Sequence, residues 1–144
     1  MIFIIVASIL SLDQLTKFIL VNKLSLYQSI PVIKGVFYIT LVHNRGAAFG
    51  ILKNQVPLFI LTSLLAIILI YSSLKKGKHK KYYAIALGLV LAGAMGNLID
   101  RLSFGYVIDF LDFRVWPVFN VADSAITVGA VLLGWSILFD KNVS

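Results

Sequence analysis

Four apolar stretches, at residues 2–21, 56–74, 82–99 and 121–139, constrain this chain more than any other feature of its 144 residues. Each is close to the roughly 20 residues that an α-helix needs to cross the hydrocarbon layer of a bilayer. The second and third carry no charge at all. The chain is 60% hydrophobic and 13% charged, against about 25% charged in an average soluble domain, so nothing is left to build a polar surface. The first stretch does not read as a cleavable secretory signal, because it lacks a basic leading segment and a small-residue cleavage site and carries Asp13, Gln14 and Lys17. The expected fold is a mainly α membrane protein with four transmembrane helices, forming a single domain over residues 1–144.

The net charge of +7 invites a nucleic-acid partner, yet five of the thirteen basic residues, Lys75, Lys76, Lys78, Lys80 and Lys81, sit in one short connection between apolar stretches. That placement reads as a loop flanking a membrane, and no nucleic-acid partner is expected. Lysine-rich connections face the cytoplasm, which puts both chain termini inside and the two longer connections outside. The outer segments, about 27–50 and 102–118, are rich in β-prone residues. Ile30-Pro31-Val32-Ile33 and Val36-Phe37-Tyr38-Ile39-Thr40-Leu41-Val42 flank Lys34-Gly35 as a hairpin would, and Tyr106-Val107-Ile108-Asp109-Phe110 can add a strand. A small extracytoplasmic β-sheet on the helix bundle follows. Gly88, Ala92 and Gly96, four residues apart in the third stretch, form a face open to close approach by another helix.

Ionisable groups in or near hydrocarbon are costly, so each asks for a partner or a task. The six acidic residues are all aspartates. Asp13 and Lys17 stand four apart, acid first, the favourable order for a pair on one helical face, and read as a buried ion pair fixing the first span. Asp100, beside Arg101 at the end of the third span, opposes the helix dipole and needs a cation or hydrogen bonds, which makes it a structural or orienting residue. Asp112 near Arg114, and Asp140 beside Lys141, read as ordinary interfacial charges.

Asp109 and Asp123 remain. Apolar neighbours around Asp109 favour its protonated form, whereas Asp123, in the first turn of the last helix with Asn120 as its cap, lies where backbone N–H groups favour a carboxylate. Such a divergence suits an acid and base pair. The bland alternatives are a helix-capping aid for Asp123 and an exposed edge-strand position for Asp109, and spacing does not decide between them. Other nucleophilic chemistries have little to work with: there is no cysteine, and of two histidines, His79 lies in the lysine cluster and leaves His43 alone. No cofactor or metal site is expected.

Five ordered blocks carry a resemblance to a known family: Asp13-Gln14-Leu15-Thr16-Lys17, Asn44-Arg45-Gly46-Ala47-Ala48-Phe49-Gly50, Gly96-Asn97-Leu98-Ile99-Asp100-Arg101, Gly105-Tyr106-Val107-Ile108-Asp109-Phe110 and Phe119-Asn120-Val121-Ala122-Asp123-Ser124-Ala125. In these the chain resembles the lipoprotein signal peptidases over nearly its whole length. The resemblance implies a multi-pass enzyme of the bacterial cell membrane, an aspartic endopeptidase with its active site at the outer face. It implies Asp109 and Asp123 as the catalytic pair and Asn44, Asn97, Arg101 and Asn120 as polar residues lining the site and meeting substrate. Asp13 and Lys17 match the family's first-span pair. The implied partners are membrane lipids and prolipoproteins whose cysteine is already diacylglyceryl-modified, cut just before that cysteine. The stretch from Asp109 to Asp123 is short for the family, which bears on the rim of the site. A small transporter is the chief rival, with Asp13, Lys17 and Asp100 as a charged relay, but the inner halves of spans two to four are nearly bare of polar groups. A non-catalytic assembly factor would instead use the Gly88-Ala92-Gly96 face.

Overall fold

The computed structural model describes residues 1–46, 52, 54–76 and 80–139. Residues 47–50 of the second motif block, Lys53, Lys78, His79 and the Asp140-Lys141 pair lie outside the described residues. In chain order the elements are α1 (Ile2–Lys23), β1 (Ser29–Ile33), β2 (Phe37–Asn44), α2 (Val56–Lys76), α3 (Lys81–Phe104), β3 (Val107–Asp112) and α4 (Val121–Phe139). The four helices are each long and apolar enough to cross a membrane. An α-helix is one of the two ways a chain can keep every backbone polar group satisfied in hydrocarbon.

The burial pattern is inverted relative to a water-soluble fold. Phe3 and Phe18 on α1, Leu61 and Leu69 on α2, and Val131 and Leu138 on α4 all face outward, as they should where the solvent is lipid. The buried residues of α1 are Asp13 and Lys17. Helix α3 is the centre of the bundle and packs against α1, α2 and α4. Its small residues allow this: Ala86, Gly88, Ala92, Gly93 and Gly96 are all buried, and small side chains let helix backbones approach in the absence of a hydrophobic drive between helices. The stripe anticipated on α3 faces α1. A Cβ added at Gly88 would lie 3.5 Å from Ile2, an ordinary contact, but one added at Gly96 would lie 2.6 Å from Asp13 Oδ2.

Helix α3 runs further than its apolar stretch. It continues through Asp100 and Arg101 to Phe104 and stops at Gly105, whose φ of 75° is left-handed and whose N–H caps the Arg101 carbonyl at 3.0 Å. Hydropathy placed the end at the first charged residue; the glycine sets it instead. The β-rich segment expected from residue 102 therefore begins at β3, after the helix ends.

The sheet has the order β1-β2-β3, antiparallel throughout. The hairpin pairs Ser29 with Thr40 and Ile33 with Phe37 around Gly35. Between β2 and β3 the register shifts: Ile39 faces Leu111, but Val42 faces Asp109 and Asn44 faces Val107. One extra residue on β2 accounts for the shift. A one-residue slip exchanges the two faces of a strand, so this bulge puts Val42 and Asn44 on the same face as Asp109 while Leu41 still packs with Leu24 and Ile108 in the small core beneath the sheet. After β3 the chain reverses, with Arg114 at a φ of 67°, and returns through Phe119, which bridges back to Leu111. That return delivers Asn120 and the head of α4 beside β3.

The sequence reading of Asp112 needs correction. Asp112 is buried rather than an ordinary interfacial charge, accepting bonds from Thr40 Oγ1 at 2.7 Å and from the Arg114 N–H at 2.8 Å. The Arg114 guanidinium stacks over the Tyr38 ring at 3.7 Å and donates to Ser29 Oγ at 2.6 Å. Asp112 thus ties the three strands together, a role that the nearby arginine in the sequence did not disclose.

Gly96→Ala is expected to lower stability in detergent by about 1–3 kcal/mol, the usual cost of overpacking, because Asp13 is pinned and cannot yield. Gly88→Ala, with room for its methyl, is expected to be near neutral. Thermal melts of the two purified variants test this, and equal melting temperatures would contradict it.

Candidate active site

Two layers of polar residues meet where the C-terminal halves of α1 and α3, the strand β3 and the head of α4 converge. The lower layer is a triad. Lys17 Nζ lies 2.8 Å from Asp13 Oδ2 and 2.8 Å from Asp100 Oδ2, with Asp13 fully buried and Lys17 2% exposed. Gln14 completes it, donating from Nε2 to Asp13 Oδ2 at 3.1 Å, Asp100 Oδ1 at 3.1 Å and the Gly96 carbonyl at 3.2 Å. Gln14 had no role in the sequence reading beyond its place in the first block. The signal that could have found it is simple: an amide beside Asp13, three residues before Lys17 in an apolar span, must also find partners inside the bundle.

The upper layer holds Asp109 and Asp123. Asp109 comes from the middle of β3 and is 1% exposed, which removes the exposed edge-strand alternative. Its Oδ2 accepts from Asn44 Nδ2 at 2.9 Å, across the strand pair aligned by the bulge, and its Oδ1 accepts from Asn120 Nδ2 at 2.7 Å. Asp123 comes from the first turn of α4. The Asn120 side chain accepts from the Asp123 N–H at 2.8 Å, and Asp123 Oδ2 returns the favour to the Asn120 N–H at 3.3 Å. This reciprocal cap satisfies two of the free N–H groups at the helix start. Asp123 is therefore a capping residue, and its other oxygen is still free to accept elsewhere.

That other oxygen, Oδ1, accepts from Asn97 Nδ2 at 2.7 Å. The Asn97 Oδ1 in turn accepts from Asn120 Nδ2 at 3.1 Å and from Lys17 Nζ at 3.3 Å. A chain of amides thus runs from Asp109 through Asn120 and Asn97 to Asp123. Because Asn97 Oδ1 is held by two donors, its NH₂ can only point to Asp123. Among the described residues no buried side-chain nitrogen or oxygen lacks a partner, as a network of this kind requires if it is not to cost stability.

Both carboxyls line a cavity of about 720 Å³. Asn44, Asn97 and Arg101 add polar groups to its wall, and Phe113, Trp116, Phe119 and Ile126 make much of the remainder apolar. Asn120 is fully buried beneath the carboxyls. Arg101 lies with its guanidinium 5.0 Å from the centre of the Phe59 ring on α2, and its charge acts on Asp123, Asp109 and Asp100. Burial pushes the Asp109 carboxyl up to about 7, with the nearby negative charge of Asp123 pushing the same way and the amide donors of Asn44 and Asn120 opposing. A carboxyl that keeps its proton to neutral pH beside a second carboxyl is an arrangement suited to proton exchange with a bound water. His43 stacks on Tyr106 at 3.9 Å, and burial followed by the charge of Arg45 lowers its pKa.

The sequence matches the family Peptidase A8, described as signal peptidase (SPase) II, over residues 5–139. It is similar to a lipoprotein signal peptidase of Halothermothrix orenii, 47% identical over 133 residues that cover 92% of each chain. It is also similar to one of Caldanaerobacter subterraneus, 49% identical over 142 residues that cover 97% of each. Among solved structures, a bacterial membrane enzyme determined by the in meso method at 2.3 Å resolution superposes with a TM-score of 0.91 at 33% identity, covering 98% of this chain and 89% of that one.

Asp109 is expected to titrate with a midpoint near 7. Since the Asp123 charge raises that value, Asp123→Asn is expected to lower it. Carboxyl carbon chemical shifts of aspartate-labelled protein followed against pH test both statements; a midpoint near the usual 4, or one unmoved by the substitution, would contradict them.

Proposed function

The chain belongs to the signal peptidase II family, and on that premise we propose that it cleaves diacylglyceryl-modified prolipoproteins just before the modified cysteine, using a water activated between Asp109 and Asp123. The observation that carries this reading is the pair of carboxyls on one cavity wall, joined by the Asn120 and Asn97 amides, with Asp109 raised to about 7.

In this mechanism Asp109 holds the proton and Asp123 is ionised. As the water oxygen bonds to the scissile carbonyl carbon, Asp123 takes a water proton and Asp109 gives its proton to the carbonyl oxygen. The tetrahedral diol then collapses: Asp123 delivers its proton to the departing nitrogen, the carbon–nitrogen bond breaks, and the hydroxyl that re-forms the carbonyl returns a proton to Asp109. The pair ends as it began. The fixed N–H donors on Asp123, from Asn97 and the Asn120 backbone, support its role as base. Arg101 and Asn44, beside the two carboxyls, supply donors for substrate carbonyls that would otherwise lack partners next to hydrocarbon.

Orientation follows from charge. Lys80 and Lys81 lie at the start of α3, and Arg101 lies at its other end, about 30 Å away at 1.5 Å per residue. With the lysines on the cytoplasmic side, the site opens at the outer face of the cell membrane, where water can reach a peptide bond while the signal peptide and acyl chains stay in the apolar phase. The apolar wall of Phe113, Trp116 and Ile126 suits such a substrate.

Asp109→Asn and Asp123→Asn are each expected to reduce kcat by about 10³-fold or more, in line with the loss of general acid–base catalysis, with little loss of folded protein. The rate of the unmodified enzyme should fall above a pH near 7, because the proton on the pair is lost there; the apparent value belongs to the coupled pair. Cleavage of a purified diacylglyceryl-modified precursor in detergent, read by gel mobility, checks all of this, and full activity of either variant would refute the mechanism.

A further inference from the structure

The triad beneath the site touches the chain at two telling places. Asp100 Oδ2 accepts the backbone N–H of Ile108 at 3.0 Å, and Ile108 is the residue immediately before Asp109. Asp13 Oδ1 accepts the backbone N–H of Ala122 at 2.9 Å, and Ala122 is the residue immediately before Asp123. Lys17 Nζ lies 2.8 Å from a carboxylate oxygen of each. The same ammonium donates to Asn97 Oδ1 at 3.3 Å, which leaves the Asn97 NH₂ on Asp123. One cation thus holds, through two carboxylates, the peptide units that precede both members of the aspartate pair, and through an amide, the side chain of one of them.

We propose that Asp13, Lys17 and Asp100 form a yoke of positioning residues that sets the separation and relative orientation of Asp109 and Asp123. This rests on the assignment of those two aspartates as the catalytic pair, and goes beyond an ion pair that merely anchors the first span. Three features favour a yoke over an anchor. An anchor for α1 needs one partner on a neighbouring helix, whereas this triad reaches α3, α4 and β3 at once. The two backbone contacts are equivalent in kind and in position, each one residue ahead of an aspartate. Gly96 lacks the side chain that would displace Asp13 from its place, so the bundle is shaped around the carboxylate. The Ile108 peptide is in addition held from its other end, its carbonyl accepting from Asn120 Nδ2 at 3.2 Å, so β3 has little freedom to shift there.

Two carboxyls must sit within fractions of an ångström of their working separation to pass protons through one water, and a displacement of about 1 Å can cost roughly 10²-fold in rate. The test measures kcat, KM and the pH dependence of kcat for Asp13→Asn and Asp100→Asn, each normalised to folded protein. Asparagine keeps an acceptor for the backbone N–H but loses the ionic hold of Lys17. Each variant is expected to lose about 10- to 100-fold in kcat with KM within about twofold, and to displace the limbs of the pH profile by half a unit or more. Lys17→Arg, which keeps the charge the bundle requires but changes the spacing of its donors, should show the same pattern, and it decides the matter if the asparagine variants do not fold. Gly88→Leu, which overfills the α1–α3 seam away from the triad, is the control for a purely structural defect: it should lower the melting temperature and leave kcat and the pH profile unchanged. If Asp109→Asn and Asp123→Asn are inactive but the triad variants behave like Gly88→Leu, the yoke is wrong and the triad only anchors a helix. If Asp109→Asn or Asp123→Asn cleaves normally, the assignment of the pair itself has failed.

Discussion

An ammonium group held inside an apolar bundle has to be answered by negative charge, and the rest of this structure is arranged around how Lys17 is answered. Taking a charge out of water costs several kcal/mol even after relaxation, and removing one partner of a buried pair commonly costs about 3–5 kcal/mol. Lys17 is met by two carboxylates rather than one, so the triad carries a residual negative charge of its own, and its oxygens have capacity left for other donors. The surplus acceptors go to Gln14 and to two backbone N–H groups that start β3 and α4. A helix end and a strand, elements with free N–H groups to spare, are thereby drawn onto the bundle at fixed points. Electrostatic need in the spans thus becomes geometric order at the membrane boundary.

Much of this was legible in the residues themselves. Hydropathy marked four spans to within a few residues, because a helix satisfies its own backbone within a single apolar stretch of about 20 residues. The hairpin around Gly35 and an added strand over Tyr106–Phe110, observed at Val107–Asp112, followed from β-prone runs beside turn residues. The cap at Asn120 was readable from its place ahead of an apolar run, and the structure adds that Asp123 completes it reciprocally. What could not be read were facts that depend on three-dimensional register. The bulge between Ile39 and Val42 has no sequence signature, yet it decides that Asn44 meets Asp109. Asp112 does pair with Arg114, whose Nε lies 3.6 Å from its carboxylate and whose backbone N–H also donates to it, but the bond from Thr40 depends on strand pairing and has no mark in the spacing. The extension of α3 to Phe104 was hidden by the charged pair Asp100-Arg101, which reads as an exit from the membrane and is instead part of the helix that carries the site.

The site residues divide the same way. Asp109 and Asp123 could be singled out by elimination, since every other aspartate had a basic neighbour, while how each is buried and bonded needed coordinates. Asp123 divides its two oxygens. One oxygen closes the helix cap and the other points along the amide chain, so the first turn of α4 is both a stable helix start and a rigid mount. The cap at Asn120 apart, the way Asn97 and Asn120 link the two carboxylates is not visible in the residues themselves, because an asparagine at a span end is ordinary; each has a donor and an acceptor on one planar group, which lets a relay connect two carboxylates without carrying charge itself.

The two carboxyls arise from unlike elements. Asp109 projects from a strand whose neighbours, Ile108 and Phe110, are buried, and a strand offers a side chain no axial dipole; its surroundings favour the neutral form, and its value near 7 follows from burial first. Asp123 projects from the start of a helix, where peptide dipoles and unpaired N–H groups converge. Placing one carboxyl on each kind of element gives two chemically identical groups in a fold of 144 residues unlike surroundings. Each element is also tied from below, β3 by the Ile108 N–H on Asp100 and α4 by the Ala122 N–H on Asp13. The unlike surroundings of the two carboxyls are therefore built from secondary structure, over contacts that lead down to the buried charge of Lys17.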